Sequence, residues 1–324
     1  MTYAIQAEGL VKRFGSTTAL SGVDLEVRHG TVVALLGRDG AGKTTTVRIL
    51  ATQLVPDGGR AHVAGYDVVR QAHAVRQLIG LTGQYASVDE TLTGAENLFL
   101  LGRLLGLPGA RASGRAAELL DRFGLAQAAG RAAGTYSGGM RRRLDLAASL
   151  VGRPGILFLD EPTIGLDPCA RLALWDAVRE LVADGVTVLL TTQSLAEADE
   201  LASDIAVIDH GSVVAVGTPE LFKRRVGGQT LWARPLDVSD LDLVAGVVGR
   251  LAGAPPAVGG GTVSAPVGDP AAVTYLVREL DAAGVVLAEL SLRPVTLDEA
   301  LLALTGPALV VASPNVTELA VVGA

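Results

Sequence analysis

Sulfur-containing and aromatic side chains are scarce in this 324-residue chain, which has one cysteine, two methionines and 4% phenylalanine, tryptophan and tyrosine together. The lone Cys169 excludes an internal disulfide and any cysteine-rich metal site, and its small side chain suits a core position. Long apolar runs are missing too. Hydrophobic residues make up 49% of the chain, but alanine, valine and leucine are spread through segments broken by charges, and none approaches the ~18 residues that a spanning helix requires. The opening MTYAIQAEGLVKRF lacks a charged leader, an apolar block and a small-residue cleavage site, so a cytoplasmic chain is expected. Positive charge is in the minority, with 27 lysines and arginines against 34 acids and a net charge of −7, so no nucleic-acid surface is expected. Arg141, Arg142 and Arg143 form a local basic run that reads as a solvated helix face. His29, His62, His73 and His210 lack ligand spacing and are assigned no chemistry.

What is present is the texture of an α/β protein. The length favours one large domain with a small one. A short apolar run, 32–36, enters a glycine-rich turn, and a helix-forming segment follows over about 43–54. Similar runs at 156–159, 186–190 and 205–208 are bounded by charges or turn residues, as parallel strands covered on both faces would be. Between them, 90–150 is rich in alanine, leucine and arginine at helical spacing and reads as a helical insert. Residues 205–209 and 212–216 resemble a closing hairpin. After 225 the texture changes, so a large domain over 1–225 and a small α+β domain over 228–306 are expected, with a loose tail at 307–324. Within the small domain, 229–233, 262–265 and 285–292 read as strands, and 239–251, 271–283 and 297–304 as helices.

The segment Gly37-Arg38-Asp39-Gly40-Ala41-Gly42-Lys43-Thr44 fits G-x-x-x-x-G-K-[ST] in its required setting, after a strand and before a helix. Glycines let the backbone curl so that successive N–H groups and the helix N-terminus face phosphates. Lys43 is then placed to reach β- and γ-phosphates, the Thr44 hydroxyl to hold Mg²⁺, and Thr45 follows on the same turn. Ile156-Leu157-Phe158-Leu159-Asp160-Glu161 sets two acids at the mouth of a buried strand, where open α/β sheets bind ligands. Asp160 would complete the Mg²⁺ shell, and Glu161 would orient and deprotonate the attacking water. Acids after a strand are by themselves more often caps or surface charge; the phosphate loop reverses that reading.

Tyr136-Ser137-Gly138-Gly139-Met140, followed by a basic helix and then the Asp160-Glu161 strand, resembles the signature motif of the ABC ATPase family. Gly165-Leu166-Asp167-Pro168 is similar to the family's D-loop, and Gln84 in Thr-Gly-Gln-Tyr to its Q-loop. The match covers about residues 4–225. The resemblance implies a P-loop NTPase of ABC type, a RecA-like core with a β-subdomain and a helical subdomain, acting as a head-to-tail homodimer. ATP on residues 37–45 of one copy would be closed over by Ser137, Gly138 and Gly139 of the other, whose helix N-terminus offers N–H donors to the γ-phosphate. Gln84 would join Thr44 and Asp160 on Mg²⁺, and Phe14 would stack on adenine. Three departures stand out. Gln193 occupies the slot of the family's switch histidine, Arg38-Asp39 replaces Pro-Asn, and Met140 replaces glutamine. Gln193 donates a hydrogen bond but cannot become cationic, and Arg38 is expected to offset the anion of Asp39.

The phrase from Leu189 to Leu201, LLTTQSLAEADEL, most resembles the daunorubicin-type antibiotic-resistance exporter branch. Leu292-Arg293-Pro294-Val295-Thr296-Leu297-Asp298-Glu299-Ala300, followed by Leu304-Thr305-Gly306, looks like the end of that branch's small C-terminal domain. The resemblance implies an ATPase seated on a separate membrane permease, peripheral on the cytoplasmic face of the cell membrane, exporting a drug-like compound. Two rivals differ from it: a regulatory subunit that binds ATP with little hydrolysis, and a non-transport ABC ATPase. Retention of Asp160 and Glu161 disfavours the first. The absence of long heptad arrays or a second head disfavours the second.

Overall fold

The chain opens with two long strands, β1 (Tyr3–Phe14) and β2 (Thr17–Arg28), paired antiparallel. In β2, Leu20, Val23, Leu25 and Val27 are buried while Ser21, Asp24, Glu26 and Arg28 are exposed, the period of a strand with one wet face. Then come β3 (Val32–Leu36), α1 (Lys43–Leu50), β4 (Gly58–Val63) and β5 (Tyr66–Asp67). These strands divide between two sheets. One is antiparallel, in the order β2-β1-β4-β5. The other begins with β3 and is completed by β6 (Ile79–Thr82), β7 (Ile156–Asp160), β8 (Thr187–Thr192), β9 (Asp204–Asp209) and β10 (Ser212–Gly217), in the order β10-β9-β3-β8-β7-β6. From β6 to β9 this sheet is parallel. Every residue of β3, β7 and β8 is buried, which is why these strands read as unbroken apolar runs.

Helix α2 (Ala72–Leu78) precedes β6, and the insert between β6 and β7 carries α3 (Gly94–Leu104), α4 (Gly109–Arg122) and α5 (Gly138–Ser149). Helix α3 starts in a capping box, with Thr93 and Glu96 each satisfying the other's backbone amide. Helices α6 (Pro168–Ala183) and α7 (Leu195–Leu201) flank β8, capped by Asp167 and Ser194. A single core runs from β1 and β2 (Ile5, Leu10, Leu20) through α1 (Val47, Ile49, Leu50) to the parallel sheet (Leu35, Phe158, Leu189).

The computed structural model describes residues 3–83, 88–225, 229–269, 271–294 and 297. Contacts divide the chain into two units, the first ending at Val216 and the second beginning at Gly217. The second unit starts with α8 (Pro219–Arg225), so the division falls ahead of the boundary expected at 225. It continues with β11 (Gln229–Pro235), α9 (Leu241–Ala252), β12 (Ala257–Gly259), β13 (Thr262–Val267), α10 (Ala272–Ala282) and β14 (Leu287–Pro294). The sheet order β12-β13-β11-β14, all antiparallel, is the split β-α-β arrangement of ferredoxin-like folds. Leu231, Ala233, Val263 and Ala265 pack there against Val244, Val248, Leu276 and Leu280. The helix expected over 297–304 and the tail at 307–324 lie outside the described residues, apart from Leu297.

Two expectations are corrected. Helix α1 stops at Leu50, because Thr52 turns to φ 62° and the amides of Gln53 and Leu54 both bond the Arg48 carbonyl, closing the helix end. Cys169 is exposed rather than in the core, since it lies in the solvent-facing first turn of α6.

Candidate functional site

Strands β3, β8 and β7 are neighbours, so the segments leaving their carboxyl ends meet. The first is the glycine loop. A Cβ on Gly37 would stand 2.4 Å from the Ile208 carbonyl oxygen, and one on Gly42, at φ 110°, would stand 2.7 Å from Leu20 Cδ2. The loop is wedged between β2 and β9 where only glycine passes. Ala41 is buried within it, while Arg38, Asp39 and Gly40 are exposed at its tip. Lys43, Thr44 and Thr45 form the first turn of α1, with Thr44 and Thr45 half-buried.

Lys43 is 4% exposed, and its Nζ donates to the carbonyls of Gly37 (2.8 Å) and Arg38 (2.9 Å). The same nitrogen pairs with Glu161 Oε1 at 3.0 Å. Asp160 ends β7, and its Oδ1 accepts from the hydroxyls of Thr44 (3.1 Å) and Thr191 (2.5 Å). Glu161 follows at φ 51°, a left-handed conformation that costs of order 1 kcal/mol or more for a non-glycine residue. Its amide donates to both the carbonyl and the hydroxyl of Thr191 at 3.1 Å, holding that conformation in place. Just past β8, Gln193 Nε2 donates to Asp39 Oδ1 at 2.7 Å and lies 3.4 Å from Glu161 Oε1. Lys43, Thr44, Asp160, Glu161, Gln193 and Asp39 therefore make one connected network.

Other candidates lie apart from it. Among the described residues no ion pair joins Arg38 to Asp39, whose carboxylate accepts from Gln193 instead. Phe14, 49% exposed, closes β1 with Lys12 Nζ 5.6 Å from its ring centre. Ser137 is the N-cap of α5, its Oγ accepting from the Met140 amide at 3.2 Å. A Cβ on Gly138 would meet open space, whereas one on Gly139 would stand 2.8 Å from Ala170 Cβ, so Gly139 permits close contact between α5 and α6. No hydrogen bond joins Ser137, Gly138 or Gly139 to the network among the described residues. Gln84 lies outside the described residues.

Reading the sequence missed the part played by the arginine run, and the solvated-face expectation is corrected. Arg142 is half-buried, and its guanidinium donates to the carbonyls of Pro162 (2.7 Å), Glu161 (3.0 Å), Gly83 (3.1 Å) and Asp160 (3.3 Å). Burial pushes this group below its ordinary range, against the opposing fields of Asp145, Asp160 and Glu197. Arg141 pairs with Glu90 and Arg143 donates to the Phe123 carbonyl. Thr191 and Glu197 were missed as well. The Glu197 carboxyl is fully buried, receives Trp175 Nε1 at 3.2 Å, and is raised above its ordinary value by burial. Only the three consecutive arginines left any mark in the sequence that could have drawn attention to this layer.

A parallel sheet whose neighbouring strands deliver a wedged glycine loop, a buried lysine and two acids defines a P-loop nucleotide hydrolase. The profile of the ABC transporter family matches residues 20–164. The chain is 53% identical over 307 residues, 94% of its length and 95% of the relative's, to the daunorubicin resistance ATP-binding protein DrrA2 of Streptomyces coeruleorubidus. It is 46% identical to the doxorubicin resistance ATP-binding protein DrrA of Mycobacterium tuberculosis, over 93% of each chain. A solved ATP-binding subunit of an ABC transporter aligns with TM-score 0.62 and 29% identity, covering 70% of this chain and 94% of its own. A second, the ADP conformation of an ATP-binding cassette, aligns with TM-score 0.63 and 25% identity over 70% and 95%. The chain belongs to the ABC transporter family, among its ATP-binding, ATP-hydrolysing subunits.

Proposed function

We propose that two copies of this chain close on MgATP and reopen after hydrolysis, driving export of a drug-like or antibiotic compound through a separate membrane permease. The observation that carries this reading is the network joining Lys43, Asp160, Glu161 and Gln193 at three adjacent strand ends. The resistance function in the names of its relatives supports the choice of cargo class.

In this reading Lys43 and the loop 37–45 hold the β- and γ-phosphates, and Phe14 stacks on the adenine. The Thr44 hydroxyl and the Asp160 carboxylate, 3.1 Å apart, are hard oxygen donors of the kind Mg²⁺ prefers, and Gln84 joins them on sequence grounds. The ion supplies charge neutralisation at the phosphates. Glu161 accepts the proton of the attacking water at its carboxylate, and Gln193 orients the terminal phosphate by its amide. Ser137, Gly138 and Gly139 of the second copy donate N–H groups from the start of α5.

A cleft of about 900 Å³ lies between α2, the α3–α4 turn and the segment before β7, lined by Arg76, Leu104, Leu105, Arg111, Val151 and Arg153. It is a suitable seat for the permease on the cytoplasmic face of the membrane. Among the described residues no helix is long and apolar enough to cross a membrane itself.

The test is Mg²⁺-dependent ATP hydrolysis by the purified chain, alone and with its permease, beside Glu161→Gln. Turnover is expected to fall about 100-fold or more in the variant. Equal turnover would refute the role of Glu161, and no turnover by wild type even with the permease would favour a regulatory subunit.

A further inference from the structure

Two positions at which the sequence departs from the pattern it resembles are bonded to each other. Asp39, at the exposed tip of the phosphate loop, accepts from Gln193 Nε2 at 2.7 Å across 154 residues of chain. Gln193 has one amide nitrogen with two hydrogens. The 2.7 Å contact to a carboxylate is the short, charge-assisted one; the contact to Glu161 Oε1 is 3.4 Å, and that oxygen is already taken by Lys43 at 3.0 Å. The donor best placed at the end of β8 is thus committed to an anion that belongs to the phosphate loop itself.

We infer, on the reading of this loop as the nucleotide site, that Asp39 is a specificity-determining residue: its carboxylate competes with the terminal phosphate of a nucleoside triphosphate for the Gln193 amide. Two effects follow, and they are separable. The negative charge of Asp39 opposes any phosphate on the loop, and among the described residues no ion pair ties the Arg38 guanidinium to it. Competition for the amide is felt only by a ligand long enough to reach Gln193, so it burdens the triphosphate and spares the diphosphate. A histidine at 193 could answer a second anion by taking up a proton, whereas an amide cannot. Asp39 and Gln193 together therefore lower the preference for triphosphate over diphosphate, which favours release of the closed state.

The experiment is a double-mutant cycle read as binding, using the purified full-length chain with Mg²⁺ and either a non-hydrolysable ATP analogue or ADP, followed by calorimetry. Wild type, Asp39→Ala, Gln193→Ala and the double variant are compared. With Gln193 present, Asp39→Ala is expected to tighten the analogue by about tenfold or more, the scale of one hydrogen bond to a charged group. In the Gln193→Ala background the same change should tighten it clearly less. For ADP the effect of Asp39→Ala should be equal in both backgrounds. Asp39→Asn, which keeps an acceptor oxygen without the charge, should fall between wild type and Asp39→Ala for the analogue. An effect of Asp39→Ala on the analogue that is the same in both backgrounds, or an equal coupling seen with ADP, overturns the inference. Failure of wild type to bind either nucleotide overturns the nucleotide-site reading, and this inference with it.

Discussion

Replacing Lys43 with alanine should cost stability as well as nucleotide binding, and the structure sets the scale. The side chains of Lys43 and Glu161 are 4% and 5% exposed and pair at 3.0 Å, while Nζ also ties down the Gly37 and Arg38 carbonyls. Without the ammonium, Glu161 keeps a buried charge whose remaining side-chain donor among the described residues is Gln193 Nε2 at 3.4 Å. Breaking a buried pair from one side costs about 3–5 kcal/mol, and the polar mouth of this site places the expected loss near the lower end, about 3 kcal/mol. Adding Glu161→Gln removes the stranded charge and should return about 1–2 kcal/mol. Urea unfolding followed by the fluorescence of Trp175, which lies in the first unit, measures this; Trp232→Phe removes the signal of the second unit. A Lys43→Ala midpoint equal to wild type would refute the reasoning, as would a double variant no more stable than Lys43→Ala alone. Loss of export in Lys43→Ala then has to be compared with the folded fraction before it is assigned to phosphate binding.

Two further outcomes are expected. Burial raises the Glu197 carboxyl above its ordinary value, against hydrogen bonds from Thr192, Trp175 and Thr163 and the field of Arg171, so the folded chain favours the protonated form more than the unfolded chain does. The corresponding stability is fully present below the ordinary carboxylate value and is lost as pH rises through the raised one; Glu197→Gln should flatten that decline on the alkaline side of the ordinary carboxylate range in urea titrations, and identical slopes would refute it. Gly139→Ala should destabilise the first unit by about 1–3 kcal/mol, because its methyl would stand 2.8 Å from Ala170 Cβ, and Ala170→Gly should recover part of the loss. An unfolding midpoint for Gly139→Ala that matches wild type would show that α5 and α6 separate freely.

The parallel strands were legible because burial on both faces leaves unbroken apolar runs, and the phosphate loop because its lysine and threonine stand at a fixed distance past a strand. The long β1 was not, since its pairing with β2 shifts register at four places and blurs the alternation that would have announced it. The second unit shows the same limit differently: its segments were readable one by one, but the order β12-β13-β11-β14 depends on non-local pairing that no local pattern encodes. Arg142 failed for a related reason. Three arginines on a helix look solvated until the loop after β7 folds back over the middle one. Asp39 and Gln193 were each visible as departures, but that they are partners is a fact of three dimensions.

The four carbonyls gathered by Arg142 have a consequence for timing. They lie on both sides of Glu161, at residues 160, 161 and 162, and at Gly83, while the arginine itself belongs to the helix that Ser137 begins. A backbone rearrangement at Glu161 must therefore stretch several bonds to α5 at once or carry that helix along. In the head-to-tail pair proposed above, where that helix would serve the neighbour's nucleotide, such a movement at one site would reach the other through a single guanidinium, and the two sites would be geared together.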